Sequence, residues 1–121
     1  MSYNGRGESA SWKEDAKGEQ RMEQIHIGKV TASEAIVQEI QETEDFQTFC
    51  MGCVRRHRNG DWGDVTKEDW IQNNRAVRKG GEIRSEYVIP RIFCLGYADR
   101  ITVTTNEERT ETEIEFLETD I

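Results

Sequence analysis

The sequence predicts an α+β fold, an antiparallel sheet of about four strands with two to three helices packed on one side. Three observations carry this. The chain has 121 residues, the length of one ordinary domain. Residues 31–79 repeat apolar side chains every three or four positions, the helical period. Residues 82–117 largely alternate apolar and polar side chains, the strand period. The elements therefore run β-α-α-α-β-β-β.

Residues 1–22 are rich in Gly and charge, and Met1, Tyr3, Trp12 and Met22 are their large apolar residues. A flexible tail is expected there, with residues 23–121 forming a single domain. Ile25 and Ile27 alternate with His26 and Gly28, which predicts a short strand over 24–30. Thr31 and Glu34 have capping-box spacing, and the helix they open should turn Ala32, Ala35, Ile36 and Ile40 inward. A second helical stripe follows over 44–58: Phe46, Phe49, Cys50, Cys53, Val54 and His57. Arg55, Arg56 and Arg58 suit its C-terminal dipole, and Asn59-Gly60 stops it. The pattern leaves open whether Glu42-Thr43 breaks the run or continues it.

Residues 60–66 read as a turn-rich loop. Thr66, with Glu68 and Asp69 in the first turn, opens a third helix. Trp70, Ile71, Asn74 and Val77 mark its face, and Gly80-Gly81 ends it. Ile83, Ser85, Tyr87 and Ile89 then alternate with Glu82, Arg84 and Glu86 as a strand that Pro90 closes. Residues 91–97 are apolar on both faces and predict a central strand. Residues 101–105 are β-branched throughout. Over 110–117, Ile114 and Phe116 alternate strictly with Glu111, Glu113 and Glu115.

Charged residues make up 33% of the chain and the formal net charge is −8, so the basic field of a typical nucleic-acid binder is missing and direct nucleic-acid binding is not expected. The charge is also segregated. Residues 33–45 hold Glu34, Glu39, Glu42, Glu44 and Asp45 without a base. Residues 107–120 hold seven acids against Arg109. The stretch 55–79 reverses sign through Arg55, Arg56, Arg58, Lys67, Arg75, Arg78 and Lys79. No apolar run approaches the ~20 residues that cross a bilayer, so no membrane partner is expected. The start of the chain has no apolar core of a secretory signal, and three cysteines make no disulfide framework. A reduced, cytoplasmic setting is expected.

Zinc could be held by Cys50, Cys53, His57 and Cys94, but the first three lie on an apolar helical stripe where free cysteines are ordinarily buried. No metal or other cofactor is favoured. Asp61 and Asp64 flank Trp62 in a Gly-bounded turn, where turn formation explains them better than a metal does. No nucleophile signature, phosphate loop or dinucleotide fingerprint occurs, and the chain is expected not to be an enzyme. The most suggestive pattern is the carboxylate row Glu111, Glu113, Glu115. Alternate strand residues sit roughly 7 Å apart on one face, a spacing of the order of successive phosphates in a nucleic-acid strand. With Glu39, Glu42, Glu44 and Asp45 they are the candidate partner-binding residues. The competing reading of the row is a charged edge strand that blocks aggregation.

One stretch resembles a group of short uncharacterised proteins of plasmids, phages and integrated elements. The resemblance covers about residues 46–105. It rests on Arg56-His57, Gly60-Asp61-Trp62-Gly63, Glu68-Asp69, Asn73 or Asn74, Gly80 or Gly81, Ser85-x-Tyr87, Asp99-Arg100 and Thr104-Thr105. It implies a mobile-element accessory protein in a bacterial host cell. By analogy with anti-CRISPR proteins, the expected function is inhibition of a host CRISPR-Cas effector through an acidic surface that occludes a nucleic-acid-binding region. The alternatives are a nucleic-acid-associated accessory protein using the basic 55–79 region, and a small zinc-stabilised protein.

Overall fold

The computed structural model describes residues 24–93 and 95–118. The tail expected over 1–22, and Cys94, lie outside the described residues. The elements are β1 (Lys29–Ala32), α1 (Glu34–Glu42), α2 (Phe46–Arg58), α3 (Lys67–Lys79), β2 (Ile83–Val88), a 3-10 turn (Arg91–Phe93), β3 (Ala98–Thr105) and β4 (Glu111–Glu118).

Local chemistry sets the helix ends. Ser33 Oγ accepts the Ile36 N–H and opens α1. Thr66 Oγ1 accepts the Asp69 N–H at 3.1 Å and opens α3. Between α1 and α2 the chain reverses through Asp45, at φ 70°, so Glu42-Thr43 does break the run. The Gly80 N–H closes α3 on the Ala76 carbonyl. Arg109, from the β3–β4 turn, donates to the carbonyls of Ala76 (3.0 Å) and Gly81 (2.7 Å) and caps the same helix end.

The strands form one sheet in the order β1-β4-β3-β2. β2–β3 and β3–β4 are antiparallel, whereas β1 pairs with β4 in parallel. The α+β class stands, with a mixed, mostly antiparallel sheet in place of a wholly antiparallel one. The parallel pair arises because α1, α2 and α3 intervene between β1 and the rest, and such a crossover can return the chain in the same direction. Register aligns Ile83 with Thr105, Ser85 with Val103, Tyr87 with Ile101, and Val103 with Ile114. This face is buried against the helices. One core cluster joins Ile36, Phe46, Cys50, Cys53 and Val54 to Tyr87, Ile101, Val103 and Ile114. A second joins Trp62, Val65, Trp70 and Ala76 to Ile83. No described helix packs on the opposite face, which carries Arg84, Glu86, Arg100, Thr102, Thr104, Glu111, Glu113 and Glu115.

Several expectations are corrected. The first strand lies at 29–32, not 24–30, and Thr31 belongs to it; Ser33 is the cap. The displacement has a steric cause at Gly28, which has φ +63°, and a Cβ there would lie 2.2 Å from the Thr110 carbonyl carbon. Residues 24–28 are instead an extended connection tied to α2 by the Ile25 N–H to the Arg58 carbonyl, 3.0 Å. Ala32 falls on β1 but still packs against the core with Ile36 and Ile40, whereas Ala35 is exposed. Ile71 is half exposed, and Asn73 and Ala76 take its place on the buried face of α3. Residues 91–93 and 95–97 form no strand. Pro90 cannot donate to a ladder, and its carbonyl accepts the Phe93 N–H at 3.1 Å to make a 3-10 turn. Its apolarity serves an aromatic cluster instead: Phe93 meets Phe46 edge-on at 5.2 Å and Phe49 at 5.8 Å. β4 is interior, flanked by β1 and β3, so its glutamates are not the guard of a sheet edge.

Candidate functional site

Arg56, the 61–64 loop, Asn73, Asn74 and Tyr87 meet in space, and the loop and Asn73 seal one edge of the sheet. β2 is an edge strand whose outward backbone groups recur at Arg84, Glu86 and Val88. The Asn73 side-chain amide donates to the Arg84 carbonyl (2.9 Å) and accepts its N–H (3.2 Å). The Trp62 carbonyl accepts the Glu86 N–H, and the Asp64 N–H donates to the Glu86 carbonyl at 2.7 Å. Asp64 Oδ2 accepts the Val88 N–H. The loop approaches this closely because position 63 is glycine. A Cβ there would sit 2.1 Å from the Glu86 carbonyl oxygen. Asp61 braces the loop by accepting from Gly63 N–H and from the Arg56 guanidinium (2.8 Å), which stacks 4.7 Å above the Tyr87 ring. Tyr87 Oη donates to the Asp61 carbonyl, and the buried Trp62 indole N–H donates to Asn74. The Gly-Asp-Trp-Gly segment thus builds the scaffold, and both of its flanking carboxylates are occupied by turn and edge bonds.

His57 lies within this unit, with 0% exposure. Its Nδ1 is 2.6 Å from Ser85 Oγ and its Nε2 is 2.8 Å from Thr105 Oγ1. Thr105 Oγ1 is 2.6 Å from Thr112 Oγ1, which donates to the Ile27 carbonyl. That last bond orients the chain. Thr112 receives from Thr105, Thr105 receives from Nε2–H, and unprotonated Nδ1 receives from Ser85. The neutral ring satisfies every member. Burial, with Arg109 adding repulsion, pushes the His57 pKa down to about 4.

This arrangement removes His57 as a zinc ligand, because both nitrogens are held by hydroxyls. Among the described residues no three His, Cys, Asp or Glu side chains converge as a metal would need. Burial pushes the Cys50 and Cys53 thiols up to about 12, so neither supplies a thiolate at neutral pH.

The acidic candidates divide between two surfaces. Glu111, Glu113 and Glu115 are exposed in a column on the uncovered face, along a strand paired on both sides. Glu111 lies opposite Lys29 and accepts from Thr31 Oγ1 at 3.4 Å. Glu113 and Glu115 lie opposite Thr104 and Thr102. The next acid across the face, Glu86, is already paired with Arg84 (2.6 Å) and Arg100 (3.0 Å). Glu39, Glu42, Glu44 and Asp45 belong to α1 and the turn after it, in the layer covering the other face. Glu39 is occupied internally, accepting from Tyr97 Oη at 2.7 Å and from Thr43 Oγ1. The two acidic groups do not form one ladder.

In the basic stretch, Arg56 is paired with Asp61. Arg55 and Arg58 instead flank a groove of about 500 Å³ between α2 and residues 24–30. Sequence reading did not find this groove, since its two walls are joined only by tertiary packing; the sole local hint was exposed Met51 beside the arginines. Comparison with family models, curated proteins and solved structures finds no match. Among the described residues no helix is long and apolar enough to cross a membrane.

Proposed function

We propose that the chain is a non-catalytic inhibitor carried by a mobile genetic element, and that it binds a cationic nucleic-acid-binding region of a host defence nucleoprotein, a CRISPR-Cas effector in particular. The observation that carries the reading is the column Glu111, Glu113, Glu115. Its carboxylates project from a strand held by ladders on both sides, so little backbone order is lost when they bind. Arg84 and Arg100 are engaged by Glu86, Lys29 lies opposite Glu111, and Glu113 and Glu115 face threonines rather than cations across the β3 ladder. The context comes from the resemblance described above. Glu39, Glu42, Glu44 and Asp45 are left out of the contact surface, because they lie on the helical layer.

The test is binding of the purified protein to CRISPR effectors from a bacterial lysate, with a salt titration of the complex. A retained effector whose affinity falls steeply with salt, and falls at least ~10-fold in the triple variant E111Q/E113Q/E115Q, supports occlusion. Salt-insensitive binding, an inert triple variant, or no retained effector overturns it.

A further inference from the structure

The sheet's two edges are treated in opposite ways. Every outward backbone group at Arg84 and Glu86 of β2, and the Val88 N–H, is capped by α3 or the 62–64 loop. β1 has no such cover among the described residues. The Lys29 N–H donates to the Thr110 carbonyl and the Ser33 N–H to the Ile114 carbonyl. By the alternation of a parallel ladder, residues 29, 31 and 33 face β4, and Val30 and Ala32 present N–H and C=O outward. No described residue bonds these groups. Bare edges of this kind recruit strands.

Beside this edge runs the groove of about 500 Å³. Ile27, Val30, Met51 and Val54 make it apolar, and Arg55 and Arg58 stand along it. Both arginines are exposed, and neither has an ion-pair partner among the described residues. A strand laid on β1 would turn alternate side chains toward the groove.

We propose that the β1 edge and this groove bind an extended acidic segment of a partner protein as a fifth strand. Val30 and Ala32 supply main-chain hydrogen bonds. The groove takes an apolar side chain of the segment, and Arg55 and Arg58 take its carboxylates. Strand addition with side-chain pockets is an established way for one protein to read another's extended segment. A protein segment fits better than nucleic acid, because the edge offers a strand template and the groove floor is apolar. The surface lies at the sheet's rim and is independent of the carboxylate column on the open face.

The experiment is selection of displayed random decapeptides on the immobilised full-length protein, followed by binding measurements on the winners. Enriched peptides should alternate apolar residues with Asp or Glu. Their affinity should fall at least 10-fold in V30P, which removes an outward N–H, and in R55E/R58E, which alters only exposed side chains. If V30P proves unfolded by circular dichroism, the double variant decides. No enrichment, enrichment of basic peptides, or binding indifferent to R55E/R58E overturns the proposal. So does an Arg55- and Arg58-dependent shift of single-stranded or duplex DNA with no peptide bound. Slow hydrogen exchange of the Val30 and Ala32 amides in the free protein would also overturn it, since the edge would then be filled by the chain's own first residues or by a second copy.

Discussion

Acid should loosen this protein through His57. In the folded state the imidazole donates to Thr105 and accepts from Ser85, and the added proton on Nδ1 would face the Ser85 hydroxyl in a site closed to water. The unfolded chain takes up that proton near pH 6.5, and the folded chain near 4. Between those values the unfolded state binds more protons, so stability rises with pH through this window and is lost as pH falls. At 1.36 kcal/mol per pKa unit the full effect is about 3 kcal/mol, with about 2 kcal/mol gone by pH 5. Urea unfolding at a series of pH values, for the wild type and H57Q, measures it. The variant starts less stable at pH 7.5 because Ser85 loses its acceptor. The quantity that matters is the slope between pH 6.5 and 4, which should be shallower in H57Q by the amount above. Nitrogen-15 spectra of the folded protein should show Nε2 protonated and Nδ1 bare down to about pH 5. Parallel slopes for the two proteins, or an imidazole titrating near pH 6.5 in the folded state, would refute the buried relay.

Three further outcomes are expected. G63A should lose at least ~3 kcal/mol in thermal or urea unfolding, since its Cβ would strike the Glu86 carbonyl and the Tyr87 ring at a positive φ. N73A should cost about 2 kcal/mol by removing two bonds to Arg84, and light scattering should show association through the opened β2 edge. Cys50 and Cys53 should resist iodoacetamide at pH 8 in the native protein and react after denaturation, as peptide mapping of the labelled sites will show.

Much of the fold was legible because hydrophobic period reports burial directly. The stripe Phe46, Cys50, Cys53, Val54, His57 is the buried face of α2, and Ile83, Ser85 and Tyr87 are the buried face of β2. Helix stops and the Thr66 cap were legible because they are chemistry within one turn. The segment 91–97 was misread for the same reason that the others were read well. Its apolarity signals burial, but Phe93 packs half-buried against Phe46 and Phe49 from a 3-10 turn while Ile92 is exposed, and composition does not distinguish that from a central strand. The acidic candidates show the same limit. Glu39 and Glu113 look alike in sequence, yet one accepts bonds from Tyr97 and Thr43 and the other stands on the open face.

By itself the sequence determined the α+β class, the alternation that puts Glu111, Glu113 and Glu115 on one face, and the burial of His57, because each follows from neighbours along the chain. Only the tertiary structure decided that β4 is interior, that β1 runs parallel to it with a bare outer edge, and that the Gly-Asp-Trp-Gly loop seals the other edge. Those outcomes depend on backbone hydrogen bonds between residues as far apart as Lys29 and Thr110. Main-chain donors and acceptors are the same at every residue but proline, so their pairing leaves no mark on composition or period.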